Sequence, residues 1–73
     1  MRSEIQAVYG MRPYWTATTL RIWLMRNGLR PIKDVRYEGN EIRYRIRHPE
    51  KYDHFITKML PHHLYLVIGF YWV

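Results

Sequence analysis

Residues Glu41 to His48 read Glu-Ile-Arg-Tyr-Arg-Ile-Arg-His. Ile42, Tyr44 and Ile46 alternate with Arg43, Arg45 and Arg47, and a strand turns successive side chains to opposite faces. One face then belongs to a core, and the other carries a row of guanidinium groups roughly 7 Å apart. Such a row suits phosphates or carboxylates, so the chemistry it offers is recognition of a polyanion or of an acidic protein surface. Arg36 joins the row if the preceding segment pairs with it. Tyr65 and Tyr71, in the apolar C-terminal run, offer rings for stacking on bases beside it. The rival reading is a solvated polar sheet face with no ligand.

A second cluster lies nearer the N-terminus. Arg12, Arg21, Arg26 and Arg30 flank a predicted helix, and Tyr14 and Trp15 precede it. Aromatic residues beside arginines have the composition of a protein-interface hot spot. Trp15 has an alternative role as a plug at the end of the core.

Other chemistries find no support in the residues. His62 and His63 are adjacent and would point opposite ways on a strand, while His48 and His54 lack the spacing of a helical pair, so no metal site is expected. There is no phosphate-binding glycine loop, no Gly-x-Ser-x-Gly and no pair of carboxylates in an apolar setting. Neither an enzyme nor a cofactor is expected.

The elements that must position these residues follow closely along the chain. Ile5 to Tyr9 reads as a short strand or as a helical turn, broken at Gly10 to Pro13. Thr16 to Asn27 reads as a helix with Thr16 as N-cap and Asn27-Gly28 as its stop. Ile32 to His48 reads as a hairpin around Gly39-Asn40, which sets Val35 opposite Tyr44, Tyr37 opposite Ile42, Asp34 opposite Arg45 and Arg36 opposite Arg43. Pro49 to Leu60 reads as a second helix, because Tyr52, Phe55, Ile56, Met59 and Leu60 keep helical spacing after a proline start. Leu64 to Trp72 reads as a last strand, apolar on both faces.

This order predicts an α+β fold of the ferredoxin-like βαββαβ type, a compact two-layer domain with a four-stranded antiparallel sheet and both helices on one face. The open face would then carry Arg36, Arg43, Arg45, Arg47, Val8, Tyr65, Val67 and Tyr71. The alternative is a winged-helix arrangement in which the first helix reads DNA and the hairpin is the wing.

The chain has 73 residues, a net charge of +6 and no cysteine, with a pI near 10.0. That length fits one small domain with a thin core. The charge favours nucleic acid or an acidic protein as partner. The lack of cysteine fits a reducing compartment, and the cytoplasm is the expected location. The longest apolar run, Leu64 to Val73, is shorter than the about 20 residues a spanning helix needs, so no membrane partner is expected. The N-terminus has no apolar segment of the signal-peptide kind.

In length, charge, lack of cysteine and lack of catalytic motifs the chain resembles small phage-encoded regulators of host RNA polymerase. The resemblance implies a transcription regulator that inhibits initiation or promotes antitermination by contacting polymerase subunits in the bacterial host cytoplasm, and it assigns no residues. Two other functions fit the residues. One is direct DNA or RNA binding through the arginine face. The other is a homodimeric structural module joined through Tyr65, Val67 and Tyr71.

Overall fold

The computed structural model describes residues 1–73. Five antiparallel strands form one sheet, β1 (Arg2–Met11), β2 (Arg36–Glu38), β3 (Glu41–Arg45), β4 (His54–Leu60) and β5 (Leu64–Tyr71), in the order β2-β3-β1-β5-β4. One α-helix, α1 (Ala17–Arg26), lies between β1 and β2 in the chain. The ferredoxin-like expectation of four strands and two helices is therefore overturned. A single helix likewise leaves no helix pair for a winged-helix arrangement.

The difference arises at Pro49 to Leu60. Only Pro49–Lys51 turns, as one 3-10 turn, and His54–Leu60 is extended against β5 from His54↔Phe70 to Leu60↔Leu64. A strand apolar on both faces needs hydrogen-bonding partners at both edges, and β1 supplies only one. The Phe-Ile-Thr run inside β4 is of residue types that favour strands. Tyr52, the first residue of the expected helical stripe, lies instead over Gly69, where an added Cβ would fall 2.5 Å from its ring.

The local signals around α1 do form. Thr16 Oγ1 accepts from the Thr19 amide at 3.1 Å, and Thr19 Oγ1 accepts from the Thr16 amide at 2.9 Å, a reciprocal cap. At the other end Gly28 takes φ 70, and the Leu29 and Gly28 amides donate to the Leu24 and Met25 carbonyls. That closes the helix as a Schellman motif and tucks Leu29 against the core. The hairpin register is as expected at Arg36↔Arg43 and Tyr37↔Ile42. Beyond Arg36 the ladder stops, and it is the Ile32 amide that donates to the Arg45 carbonyl at 2.9 Å.

The core sits between α1 and one sheet face. Leu20 and Leu24 meet Val8, Ile42, Tyr44, Ile46 and Leu64. Val8 therefore faces the helix, not the open side. The Tyr44 hydroxyl, carried into this core, donates to the Ala17 carbonyl at 3.1 Å. Trp15 lies across Gly10, where a Cβ would sit 2.6 Å from its indole. No helix is long and apolar enough to cross a membrane.

Candidate binding face

The sheet face away from α1 carries Arg36, Arg43 and Arg45. Arg47 lies past the end of β3, where the Ile46 and Arg47 amides share the Gln6 carbonyl and the expected alternation breaks. The registers arrange this face in three ranks. Register partners share a face. The first rank runs Arg36, Arg43, Tyr9, Tyr65, Met59, and the second Arg45, Ala7, Val67, Thr57. The third holds Glu4, Gly69 and Phe55, with the Tyr52 ring over Gly69.

A bulge makes the third rank possible. The β1–β5 register shifts between Ile5 and Ala7, so one extra residue, Gln6, restores Glu4 to the side that Ala7 faces. Gln6 is buried, donates from Nε2 to the Arg47 carbonyl at 2.9 Å, and accepts from the Ile46 and Arg47 amides. The bulge is thus fastened to the chain just after β3.

Short side chains in the middle rank lie between taller ones on either side. Ala7, Val67 and Gln6 form the floor of a concavity of about 480 Å³, with Phe55 and Pro49 on one side. Lys33, Arg36, Arg43 and Arg45, with one acid, Asp34, line the other.

The predicted site residues have distinct positions. Arg43 stacks over the Tyr9 ring at 4.7 Å and donates to Glu41 at 2.9 Å. Arg36, well exposed, approaches Glu38 at 3.6 Å. Arg45 forms no ion pair with Asp34 or any other acid within 4.0 Å, contrary to the pairing the hairpin implied. Arg47 is held by Glu4 at 3.3 Å and donates to the Ile5 carbonyl at 2.7 Å. On this face Arg45 and Lys33 are therefore the cations with no acid within 4.0 Å, where the 31–35 connection meets the sheet.

The tyrosines are occupied. Tyr65 stacks on Tyr9 at 4.8 Å, and Tyr71 carries the Lys51 ammonium over its ring at 4.7 Å. Burial and the nearby Glu41 carboxylate push the Tyr9 phenol above its usual pKa. Burial, then the hydrogen bond from its hydroxyl to Glu4 at 3.0 Å, pushes Tyr52 up to about 12. Glu4 is lowered, first by its hydrogen bond with Lys51 at 2.6 Å.

The N-terminal cluster is a strap, not part of this face. Arg12 donates to the Gly39 carbonyl at 2.8 Å and covers the Tyr37 ring. Tyr14 stacks on His63 at 3.7 Å, and Trp15 Nε1 donates to the His62 carbonyl at 2.6 Å. His62 and His63 both have positive φ, 66 and 58, a conformation that costs non-glycine residues about 1–2 kcal/mol each. Residues 11 to 15 thus tie down both hairpin turns at one end of the sheet. Arg21 stands apart on α1, beside the 31–34 connection. His54 stacks on Phe70 at 4.7 Å, and no three His, Asp or Glu side chains gather as metal ligands would.

Sequence reasoning missed Lys33, Ala7, Phe55 and Gln6. Lys33 was visible as a cation before the hairpin, but nothing local in the sequence brings Phe55 to the same hollow. No family model, no curated protein and no solved structure matches the chain.

Proposed function

We propose that the protein is a non-enzymatic binding module that captures an acidic, partly apolar protein segment in the open-face concavity. One observation carries this reading: an apolar patch of Ala7, Val67 and Phe55 and a mostly cationic wall meet in a single hollow. An apolar side chain fills the Ala7–Val67–Phe55 side, while a neighbouring carboxylate reaches Arg45, Arg36 and Lys33. Occupied rings favour a protein over a single-stranded nucleic acid, because Tyr65 already stacks on Tyr9 and the Tyr71 ring lies under the Lys51 ammonium, whereas base stacking needs free faces. The finer proposal is regulation of transcription by contact with RNA polymerase, supported by the resemblance in length and charge. Direct nucleic-acid binding is the second reading, favoured by the net charge of +6.

A pull-down from nuclease-treated bacterial lysate, read by mass spectrometry, tests these proposals. Wild-type protein is expected to retain an acidic partner. The double variant Arg36→Glu, Arg45→Glu is expected to weaken capture on the order of 100-fold, since it sets like charges against the ligand. Neither side chain is in the core, so the fold should survive. Arg43 is a poor target because it packs on Tyr9 and neutralises Glu41. Retention of polymerase subunits by wild type alone supports the polymerase reading. Loss of all binding after nuclease treatment, with a log–log salt slope near −0.9 per contacted phosphate on duplex DNA, transfers the case to nucleic acid. Equal capture by the double variant removes the concavity as the site.

A further inference from the structure

The two edges of the sheet are unlike. β2 is three residues long, whereas β4 offers seven with one full charge, Lys58. Phe55, Ile56 and Met59 are exposed there. An edge this long and apolar invites another strand.

Its unpaired groups can be assigned. The Met11 amide donates to the His63 carbonyl, so odd-numbered residues of β5 bond toward β1 along the unshifted register that runs from there to Ala7↔Val67. Even-numbered residues of β5 then bond toward β4, because an inner strand alternates its partners. Their partners are His54, Ile56, Lys58 and Leu60. The amides and carbonyls of Phe55, Thr57 and Met59 therefore point outward.

We infer that β4 pairs with β4 of a second copy of this chain, antiparallel about a two-fold axis at Thr57, to give one continuous ten-stranded sheet. This register joins Thr57 to its own copy and Phe55 to the partner copy's Met59. It pairs all three outward residues and leaves none over. On the open face it brings a thioether to an aromatic ring, a favourable contact. On the helix face it sets Lys58 beside Ile56 of the other copy. A shift by two residues toward the C-terminus would set Lys58 against Lys58. Phe55 also walls the concavity, so the second copy's Met59 extends that wall and each dimer carries two concavities on one face. Charge opposes the pairing, since each chain bears +6, so added salt strengthens the dimer. Salt weakens capture of an acidic ligand, which separates this proposal from the one above.

Sedimentation equilibrium of the full chain tests it. The mass is expected to rise with concentration toward twice 9.1 kDa, and to rise sooner at higher salt. Thr57→Pro removes two outward amides, one per copy, yet spares the bonds to β5, and is expected to stay monomeric. Met59→Lys, at a side chain 72% exposed, is expected to do the same and serves if the proline variant fails to fold. The chain has no cysteine, so single cysteines report the register. Thr57→Cys is expected to cross-link on oxidation, because directly opposed residues have Cα atoms about 5.5 Å apart. Met59→Cys lies roughly 13 Å from its copy in this pairing and is expected not to cross-link. A mass fixed at that of one chain, a dimer that survives Met59→Lys, or cross-linking at 59 in preference to 57 overturns the proposal.

Discussion

Glu4 is the hub of the third rank. Its carboxylate meets Lys51, Arg47 and the Tyr52 hydroxyl. Because its pKa in the folded chain is lowered from 4.5, its stabilising effect is present above that value and fades as pH falls through the folded pKa. Tyr52 behaves oppositely. Its folded pKa of about 12 stands above the ordinary 10.0, so its contribution is intact below pH 10 and is lost as pH rises toward 12. Urea unfolding across pH is expected to show both limbs. Glu4→Gln should flatten the acid limb, and Tyr52→Phe should flatten the alkaline limb and remove the last phenol to ionise in an ultraviolet titration. If the alkaline limb is unchanged in Tyr52→Phe, the burial of that phenol is not what limits stability at high pH. At this scale the sequence revealed the arginines but not their partners. Arg43 answers to a glutamate two residues away, which is legible, but Arg47 answers to Glu4 across the sheet, and only the bulge at Gln6 makes that meeting possible.

Among the elements, the ones decided locally were readable. Thr16, Asn27 and Gly28 mark the ends of α1 because capping is a matter of neighbours in sequence, and the Gly39-Asn40 loop set the hairpin register by parity alone. β4 was not readable. Its apolar residues keep helical spacing over a dozen positions, and nothing within those positions tells that β5 has an unfilled edge. Amide hydrogen exchange distinguishes the two descriptions. In dilute monomer the amides of His54, Ile56 and Lys58 are expected to be protected and those of Phe55, Thr57 and Met59 to exchange freely, since bonded and free amides alternate in an edge strand. A helix would protect consecutive amides instead. Raising the concentration should then slow exchange at the three free positions.

For the whole molecule the decisive fact is that one helix covers one face. Only 13 of 73 residues are buried, and a chain of this size has a total stability of roughly 4–11 kcal/mol. Leu24 is fully buried at the centre of the contact between α1 and the sheet. Leu24→Ala is expected to cost about 2–5 kcal/mol, a large share of the total, so its urea midpoint should fall steeply or its folded baseline vanish. The open face contributes less to the core and is free to change. Arg36, Arg45 and Lys33 could be altered at little expense to stability, which is the condition a recognition surface needs. The charge count showed a cationic chain, and the strand alternation placed Arg43 and Arg45 together on the open face. Its walls come from segments far apart in the chain, and their meeting is a property of the fold alone.

The position of β1 governs how this molecule comes into being. It precedes the other four strands in the chain and lies at the centre of the sheet, and its partners on one side are residues 64 to 71, with Arg2 opposite Tyr71. The residues between Gly10 and Leu64 must close into a loop before that ladder forms, so folding is expected on the slow side for a domain this small. During synthesis β1 waits for β5, with one edge bare until residues 64 to 71 leave the ribosome. The same geometry sets the two ends of the chain side by side. New termini cut in the exposed 31–34 connection, with a short linker joining the old ones, would leave every strand pair intact while making β1 and β5 neighbours in sequence. Such a permuted chain would replace the longest loop closure with a short one, and would show how much of the folding time that closure takes.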